Sequence, residues 1–302
     1  MRADDFEGWT LRSQRTVEAA LEAWVPADAP AGLGSTMRYG VLDGGKRLRP
    51  LLVLAACEAV HGQADAALRA AVAVELIHAY SLIHDDMPCM DNDVLRRGKP
   101  TVHVQYGQGQ AMLAGDAMQA LAFEVLTPDG DAVAPALQAR LCALLARSAG
   151  HAGMAGGQAI DLASIGKTLH EADLRNMHRR KTGALLQASV LMGAACGEVG
   201  VSAWAALTAY GDALGLAFQV VDDILDVTQA SDTLGKTAGK DAEHNKPTYV
   251  SVLGLEAARL EAQAQHRAAL ASLAAVARSG LLDSGGLDLL ARLADMLVTR
   301  DH

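Results

Sequence analysis

The chain has 302 residues, 51% of them hydrophobic, enough to build a large core and to exclude intrinsic disorder. Against 26 Lys and Arg stand 35 Asp and Glu, a formal charge of −9 with no basic stripe, which argues against a nucleic-acid partner and means that any anionic ligand is met by local clusters of cations. The four cysteines, Cys57, Cys89, Cys142 and Cys196, are widely spaced with no CxxC, which argues against a zinc site or a disulfide framework and fits a reducing, cytoplasmic setting.

The first fifteen residues, MRADDFEGWTLRSQR, are charged throughout and lack the apolar stretch of a secretory signal. Strand signals are almost absent along the whole chain. Apolar residues instead recur at helical spacing over residues 51–61, 66–84, 111–126, 137–152, 171–195, 203–228 and 247–276, with Ala and Leu dominant. Breaks are expected at Pro26–Gly34, Gly98–Pro100, Pro128–Gly130, Gly156–Gly157, Gly197–Gly200, Ser231–Gly239 and Ser284–Gly286. None is long or polar enough to be a linker, so residues 1–302 read as one all-α domain of about ten helices. Residues 183–211, with Glu198 as their single charge, come closest to a membrane span. Gln187, Ser189 and several glycines interrupt them, and a pair of core helices broken near Gly197–Gly200 is expected instead.

The chemistry sits at the ends of the apolar segments. GGKRLRP supplies Lys46, Arg47 and Arg49. Gly40-x-x-x-x-Gly45-Lys46 has the spacing of a phosphate-binding loop, but Arg47 stands where Ser or Thr should hold magnesium and no strand precedes it. Next, LIHDDMPCMD places Asp85, Asp86 and Asp91 directly after an apolar run. Pro88 should end the helix there and let Asp91 fold back toward Asp85. RRGKP follows with Arg96, Arg97 and Lys99, then RRKTG with Lys181 and Thr182. A second apolar helix ends in DDILD, where Asp222 and Asp226 are four apart and share a helix face. Lys236 and Lys246 come after it.

An acidic helix end is ordinarily a solvated surface. Here Asp85 and Asp86 lie late in their helix, where the macrodipole disfavours anions, and like charges about 4 Å apart repel by up to ~4 kcal/mol. Magnesium removes that cost, since it prefers one or two carboxylates plus phosphate oxygens. The paired guanidiniums of Arg96 and Arg97 beside these carboxylates suit bidentate phosphate binding. The residues therefore point to two acidic clusters holding magnesium across the mouth of a helical bundle, with a diphosphate between them and an apolar pocket for its tail. Such a site would ionise an allylic diphosphate. His84-Asp85 also admits an HD-type metallophosphohydrolase using His78 and His103, but that reading leaves DDILD with no task.

On these motifs, together with ELIHAYSLIHDDMPCMDND, LAGDA, FQVVDDILD, LGKTAGKD and NKPTY, the chain resembles the trans-isoprenyl diphosphate synthases from about residue 44 to 259, and among them the bacterial farnesyl diphosphate synthases. The resemblance implies the all-α isoprenoid synthase bundle around a central apolar cavity, as a homodimer. It implies that Asp85 and Asp91, with Asp86, ligate two magnesium ions and that Asp222, with Asp226, ligates a third, manganese being able to substitute. Arg96, Lys181 and Lys236 would hold the allylic diphosphate, and Thr182 and Gln219 would face the carbocation. Lys46, Arg49, His78 and Arg97 would bind isopentenyl diphosphate, while Asp241 and Lys246 would support the second acidic motif. Tyr80 and Ser81 lie five and four residues before Asp85, about 7–8 Å along the helix for Tyr80. In this family an aromatic there is a floor that stops growth at farnesyl length; geranylgeranyl producers tend to carry a smaller or flexible residue. A geranylgeranyl product, a non-catalytic partner subunit and a terpene cyclase of the same fold are the remaining alternatives. Val94, Val221 and the terminal Asp-His depart from the pattern, and Cys89 inside the first motif implies thiol-sensitive activity.

Overall fold

Among the described residues of the computed structural model, 3–42, 44–167, 169–228, 246–278, 280 and 282–299, helices supply nearly all regular structure. They are α1 (Ala3–Trp24), α2 (Leu33–Val41), α3 (Leu48–Ala59), α4 (Ala64–Asp85), α5 (Val102–Tyr106), α6 (Gln108–Leu126), α7 (Pro135–Ala149) and α8 (Met154–Ala163). Then come α9 (Glu171–His178), α10 (Ala184–Ala195), α11 (Val201–Thr228), α12 (Tyr249–Leu253), α13 (Leu255–Ala277) and α14 (Ser284–Val298). Lys236 and Asp241 lie outside the described residues.

The core is built on α4 and α10, which are apolar all round and therefore surrounded. α4 packs against α3 and α6, and α10 against α3, α7 and α11. α11 runs along α13 and touches α14. Of the described helices, α4 is the one long and apolar enough to cross a membrane, and 67% of that window is buried inside the bundle. Residues 183–211 form the expected broken pair: α10 closes at Cys196, and α11 starts five residues later at Val201.

Two sequence expectations fail for a physical reason. Gly156–Gly157 does not break a helix; it lies inside α8, which the periodicity over 137–152 and 171–195 skipped. Ser284–Gly286 likewise opens α14, with Asp283 accepting a cap hydrogen bond from Gly286 N at 2.9 Å. The one hairpin is minimal: Leu95–Arg96 (β1) pairs antiparallel with Lys99–Pro100 (β2). Its two-residue turn, Arg97–Gly98, has φ of +52° and +74°, the mirror-image turn that suits strand twist.

Candidate active site

α4 ends at Asp85, and the chain then doubles back through Pro88. Asp91 N donates to Asp85 O at 2.8 Å, Asn92 N to Met87 O at 3.1 Å and Asp93 N to Asp86 O at 3.1 Å. This reversal brings Asp91 beside Asp85, as the proline implied. Cys89 is exposed on the turn. Asp222, near the C-terminal end of α11, lines the same cavity as Asp85 and Asp91. That cavity holds about 720 Å³ and is further lined by Tyr80 and Ser81, by Met154, Ala155 and Leu162 of α8, and by Phe218, Lys181 and Lys246.

The cavity's cations are anchored on its carboxylates. Lys181 Nζ donates to Asp161 Oδ2 at 2.5 Å, and Lys246 Nζ donates to Asp91 Oδ1 at 2.7 Å while lying 3.9 Å from Asp161 Oδ2. Burial opposes the charge on Lys181, but Asp161, Asp85 and Asp91 outweigh it and hold its pKa above the ordinary lysine value. Asp85 has no such anchor: among the described residues, no side chain hydrogen-bonds or ion-pairs with its carboxylate. Burial, then Asp91 and Asp86, push its pKa up to about 6 against the opposing pull of Lys181 and Arg96.

Asp86 and Asp226, expected as metal ligands, are placed elsewhere. Asp86 is 2% exposed and forked by Arg96, with Nε to Oδ1 and Oδ2 at 3.0 and 2.8 Å and Nη2 to Oδ1 at 2.7 Å. It is the C-cap residue of α4 and is not among the residues that line the cavity. Arg96 lines the cavity but spends two of its three nitrogens on Asp86. Asp226, one turn beyond Asp222, is buried and is not among the residues that line the cavity. The histidines of the phosphohydrolase alternative do not gather: His84 Nε2 meets Met112 O at 3.1 Å, and His103 Nδ1 meets Thr101 Oγ1 at 3.0 Å. No cluster of three His, Cys, Asp or Glu side chains poised for a metal occurs among the described residues. The acidic cavity thus offers an all-oxygen donor set, Asp85, Asp91 and Asp222, on opposing walls, and its unanchored Asp85 fits a hard divalent cation.

Lys181 and Thr182 are carried by a π-turn, Arg179–Gly183, between α9 and α10. Two glycines make room for it. A Cβ on Gly157 would lie 2.1 Å from Lys181 N, and one on Gly215 would lie 2.6 Å from Gly183 Cα. A chain of hydrogen bonds then fixes the neighbouring polar groups. Thr182 Oγ1 donates to Gln219 Oε1 at 2.8 Å, Gln219 Nε2 donates to Asp223 Oδ1 at 2.8 Å, and Tyr249 N donates to Asp223 Oδ2 at 2.7 Å. Asp223, 2% exposed, therefore ties α11 to the start of α12 and the Lys246–Thr248 segment before it. His178 stacks on Tyr249 at 5.4 Å, and burial and Lys181 bring its pKa down to about 4, so it is neutral.

A second cavity, about 130 Å³, is lined by Lys46, Arg47, Arg49, His78, Arg97, Glu75, Phe218 and Met296 among others. Arg49, His78, Arg97 and Phe218 line both cavities. Arg97 Nη1 donates to Gly44 O at 2.6 Å, and the Arg49 guanidinium lies 6.0 Å from the Phe218 ring centre. Burial, together with Arg49, Arg97, Arg96 and Arg47, depresses the pKa of His78 well below the usual imidazole value, so it offers a neutral hydrogen bond rather than a charge. Ser81 Oγ donates to His78 O at 2.8 Å, and the Tyr80 ring meets His84 edge-on at 5.7 Å.

Sequence reasoning brought most of this wall together but missed Gln158, Asp161, Asp223 and Glu75. Asp161 was the detectable one: a lone carboxylate within the apolar run GGQAIDLAS.

Comparison with known proteins gives a consistent picture. The family model described as polyprenyl synthetase matches residues 30–278. Geranylgeranyl pyrophosphate synthase 9, chloroplastic, of Arabidopsis thaliana is 47% identical over 271 residues, covering 88% of this chain and 75% of the relative. A solved FPP/GFPP synthase of Zymomonas mobilis superposes with a TM-score of 0.85 at 38% identity, over 99% of this chain and 100% of that one. A Helicobacter pylori geranyltransferase solved with magnesium and isoprenyl diphosphate gives 0.82 at 34% identity, over 96% and 95%.

Proposed function

The chain belongs to the polyprenyl synthetase family, and from that premise we propose that it joins an allylic diphosphate head to tail with isopentenyl diphosphate, lengthening a prenyl chain by one isoprene unit. The observation that carries this is the shared wall: an acidic cavity and a basic cavity meet at Arg49, His78, Arg97 and Phe218. Two diphosphates that must react with each other need two adjoining sites, one using metal and one using fixed cations. A cyclase or a hydrolase needs one.

Asp85, Asp91 and Asp222 would hold magnesium, three ions in the full site with manganese able to replace them, and the metal would supply the charge neutralisation that the departure of an allylic diphosphate needs. Lys181 and Lys246, with Lys236 outside the described residues, hold that leaving group. Thr182 gives its proton to Gln219, so it turns lone pairs rather than a proton toward its other neighbours, which suits a nearby carbocation. Lys46, Arg49, Arg97 and neutral His78 hold isopentenyl diphosphate, whose alkene attacks. The departed pyrophosphate takes the last proton, so no protein base is required.

For product length we propose farnesyl diphosphate, because the half-buried Tyr80 ring stands in the wall of the tail cavity below Asp85. Geranylgeranyl diphosphate is the second reading, and the curated relatives favour it, being named geranylgeranyl synthases at 46–47% identity. The deciding experiment incubates the protein with magnesium, isopentenyl diphosphate and dimethylallyl diphosphate and measures prenyl products by mass spectrometry. No prenyl product at all would end the reading; a geranylgeranyl product from wild type, or an unchanged farnesyl product from Tyr80→Ala, would remove Tyr80 from it.

We also propose a homodimer in the cytoplasm. Val104, Met112 and Leu113 expose 50%, 42% and 55% on the adjoining α5 and α6, a face suited to a second copy. Light scattering on Met112→Glu/Leu113→Glu tests this, with a monomer expected.

A further inference from the structure

The basic cavity contains a contradiction: a carboxylate, Glu75, lines a pocket otherwise suited to an anion. Glu75 is 2% exposed and lies one helical turn before His78 on α4. Its Oε1 accepts from Arg47 Nη1 at 2.5 Å. Arg47 stands in the middle of GGKRLRP yet is itself 3% exposed. Each of its three nitrogens donates to a protein acceptor: Nη1 to Glu75, Nε to Glu18 at 2.6 Å and Nη2 to Val41 O at 2.6 Å. Three of its five N–H donors are thus committed to protein acceptors, on a side chain that is almost wholly enclosed. Its backbone is equally committed, with φ of +50°, a left-handed conformation that a non-glycine residue holds only when its surroundings enforce it.

The residues on either side line the pocket with it and carry the less engaged cations. Lys46 precedes Arg47, with its carbonyl held by Gln14 Nε2 at 3.0 Å, and Arg49 lies two residues on, in the first turn of α3. His78 comes from α4. One buried ion pair therefore fixes the loop that carries Lys46 and Arg49 against the helix that carries His78. Resting on the function proposed above, we infer that Arg47 and Glu75 are positioning residues for the isopentenyl diphosphate site: they touch no substrate, and they set the register in which Lys46, Arg49 and His78 converge. Glu75 serves a second purpose there, since its charge offsets the mutual repulsion of Arg47 and Arg97 in the unliganded pocket.

The test separates the two substrates. Glu75→Gln keeps the shape and one acceptor but removes the charge; Arg47→Lys keeps a charge but cannot reach three acceptors at once. Each is assayed for KM toward isopentenyl diphosphate, KM toward the allylic diphosphate and kcat, with thermal unfolding alongside. We expect KM for isopentenyl diphosphate to rise about tenfold in both, while the allylic KM stays within about twofold. Calorimetric titration of isopentenyl diphosphate into metal-free Arg47→Lys covers the case in which Glu75→Gln does not fold, and should show the same weakening. Equal rises in both KM values, or an unchanged KM for isopentenyl diphosphate, would overturn the assignment. A wild-type protein that makes no prenyl product overturns instead the function on which the assignment rests.

Discussion

Replacing Gly157 by alanine tests how the fold holds its chemistry. The added methyl would stand 2.1 Å from Lys181 N and 2.5 Å from Lys181 Cα, backbone on both sides, so no side chain can swing away. Ordinary contact needs about 3.4 Å or more, so α8 and the π-turn must separate by roughly 1 Å. Overpacking of this kind costs about 1–3 kcal/mol, and the steric case here belongs at the upper end; better helix propensity returns up to about 1 kcal/mol. The net of about 2 kcal/mol corresponds to a melting point lower by about 3 °C. Because the displaced turn carries Lys181 and Thr182, kcat should fall by on the order of a hundredfold. Gly109→Ala is the control: a Cβ at this position in α6 meets nothing within 4 Å, so it should leave kcat unchanged and, by the same helix propensity, not lower the melting point. The assay is differential scanning calorimetry with steady-state turnover. A Gly157→Ala protein that melts and turns over like wild type would refute the seating of the turn on α8. One that melts lower at full kcat would refute its link to the active site.

Three further outcomes follow from the same geometry. Asp85, with a folded pKa of about 6, keeps a proton between pH ~4 and ~6 that the unfolded chain has released, so metal-free stability should fall as pH rises through that window, by at most ~3 kcal/mol; melting points against pH should lose this slope in Asp85→Asn or with magnesium, and a slope retained in Asp85→Asn refutes it. Asp223→Asn cannot accept from both Gln219 and Tyr249 N, so it should destabilise by about 1–3 kcal/mol in urea unfolding and lower kcat; a shift below the error of the measurement would remove Asp223 as the clamp. Lys246→Ala removes one cation that competes for Asp91, so magnesium alone should bind more tightly while the allylic KM rises, a pair of opposite signs readable by calorimetry and kinetics; changes of the same sign would refute the exchange.

How far the site was legible depended on whether a residue's environment was local. Asp85, Asp91 and Pro88 lie within seven positions, and the fold-back was readable because proline alone dictates it. Asp222 and Thr182 were readable from motif and helix end. α8 was not. Gly156–Gly157 has the composition of a break, and its actual use, as a notch for a backbone 24 residues further on, exists only after the bundle has formed. Missing α8 meant missing Asp161 and Gln158, which it carries. Arg47 and Glu75 show the same limit from the other side: 28 positions apart, they mean nothing as a pair until α3 packs on α4. For Asp86, adjacency to Asp85 suggested a shared role and gave no sign of its fork with Arg96, which forms only once the hairpin folds back.

The distribution of partners around the acidic cavity explains why one aspartate differs from its neighbours. Asp86 has Arg96, Asp161 has Lys181 and Asp91 has Lys246. Each of those carboxylates is neutralised within the protein, at distances where a charge-assisted hydrogen bond is strong. Asp85 is similarly enclosed but receives no such bond from the described residues, so burial, with Asp91 and Asp86 nearby, raises its pKa with no bonded cation to offset it. A cation entering from outside gains most at Asp85, to which no described side chain donates a charge-assisted hydrogen bond. Its nearest competitor is Lys246 on Asp91, and a lysine displaced from Asp91 remains in the same cavity, facing whatever anion arrives with the metal. On the function proposed above, a charge that loads the carboxylates would also release a cation toward the leaving group.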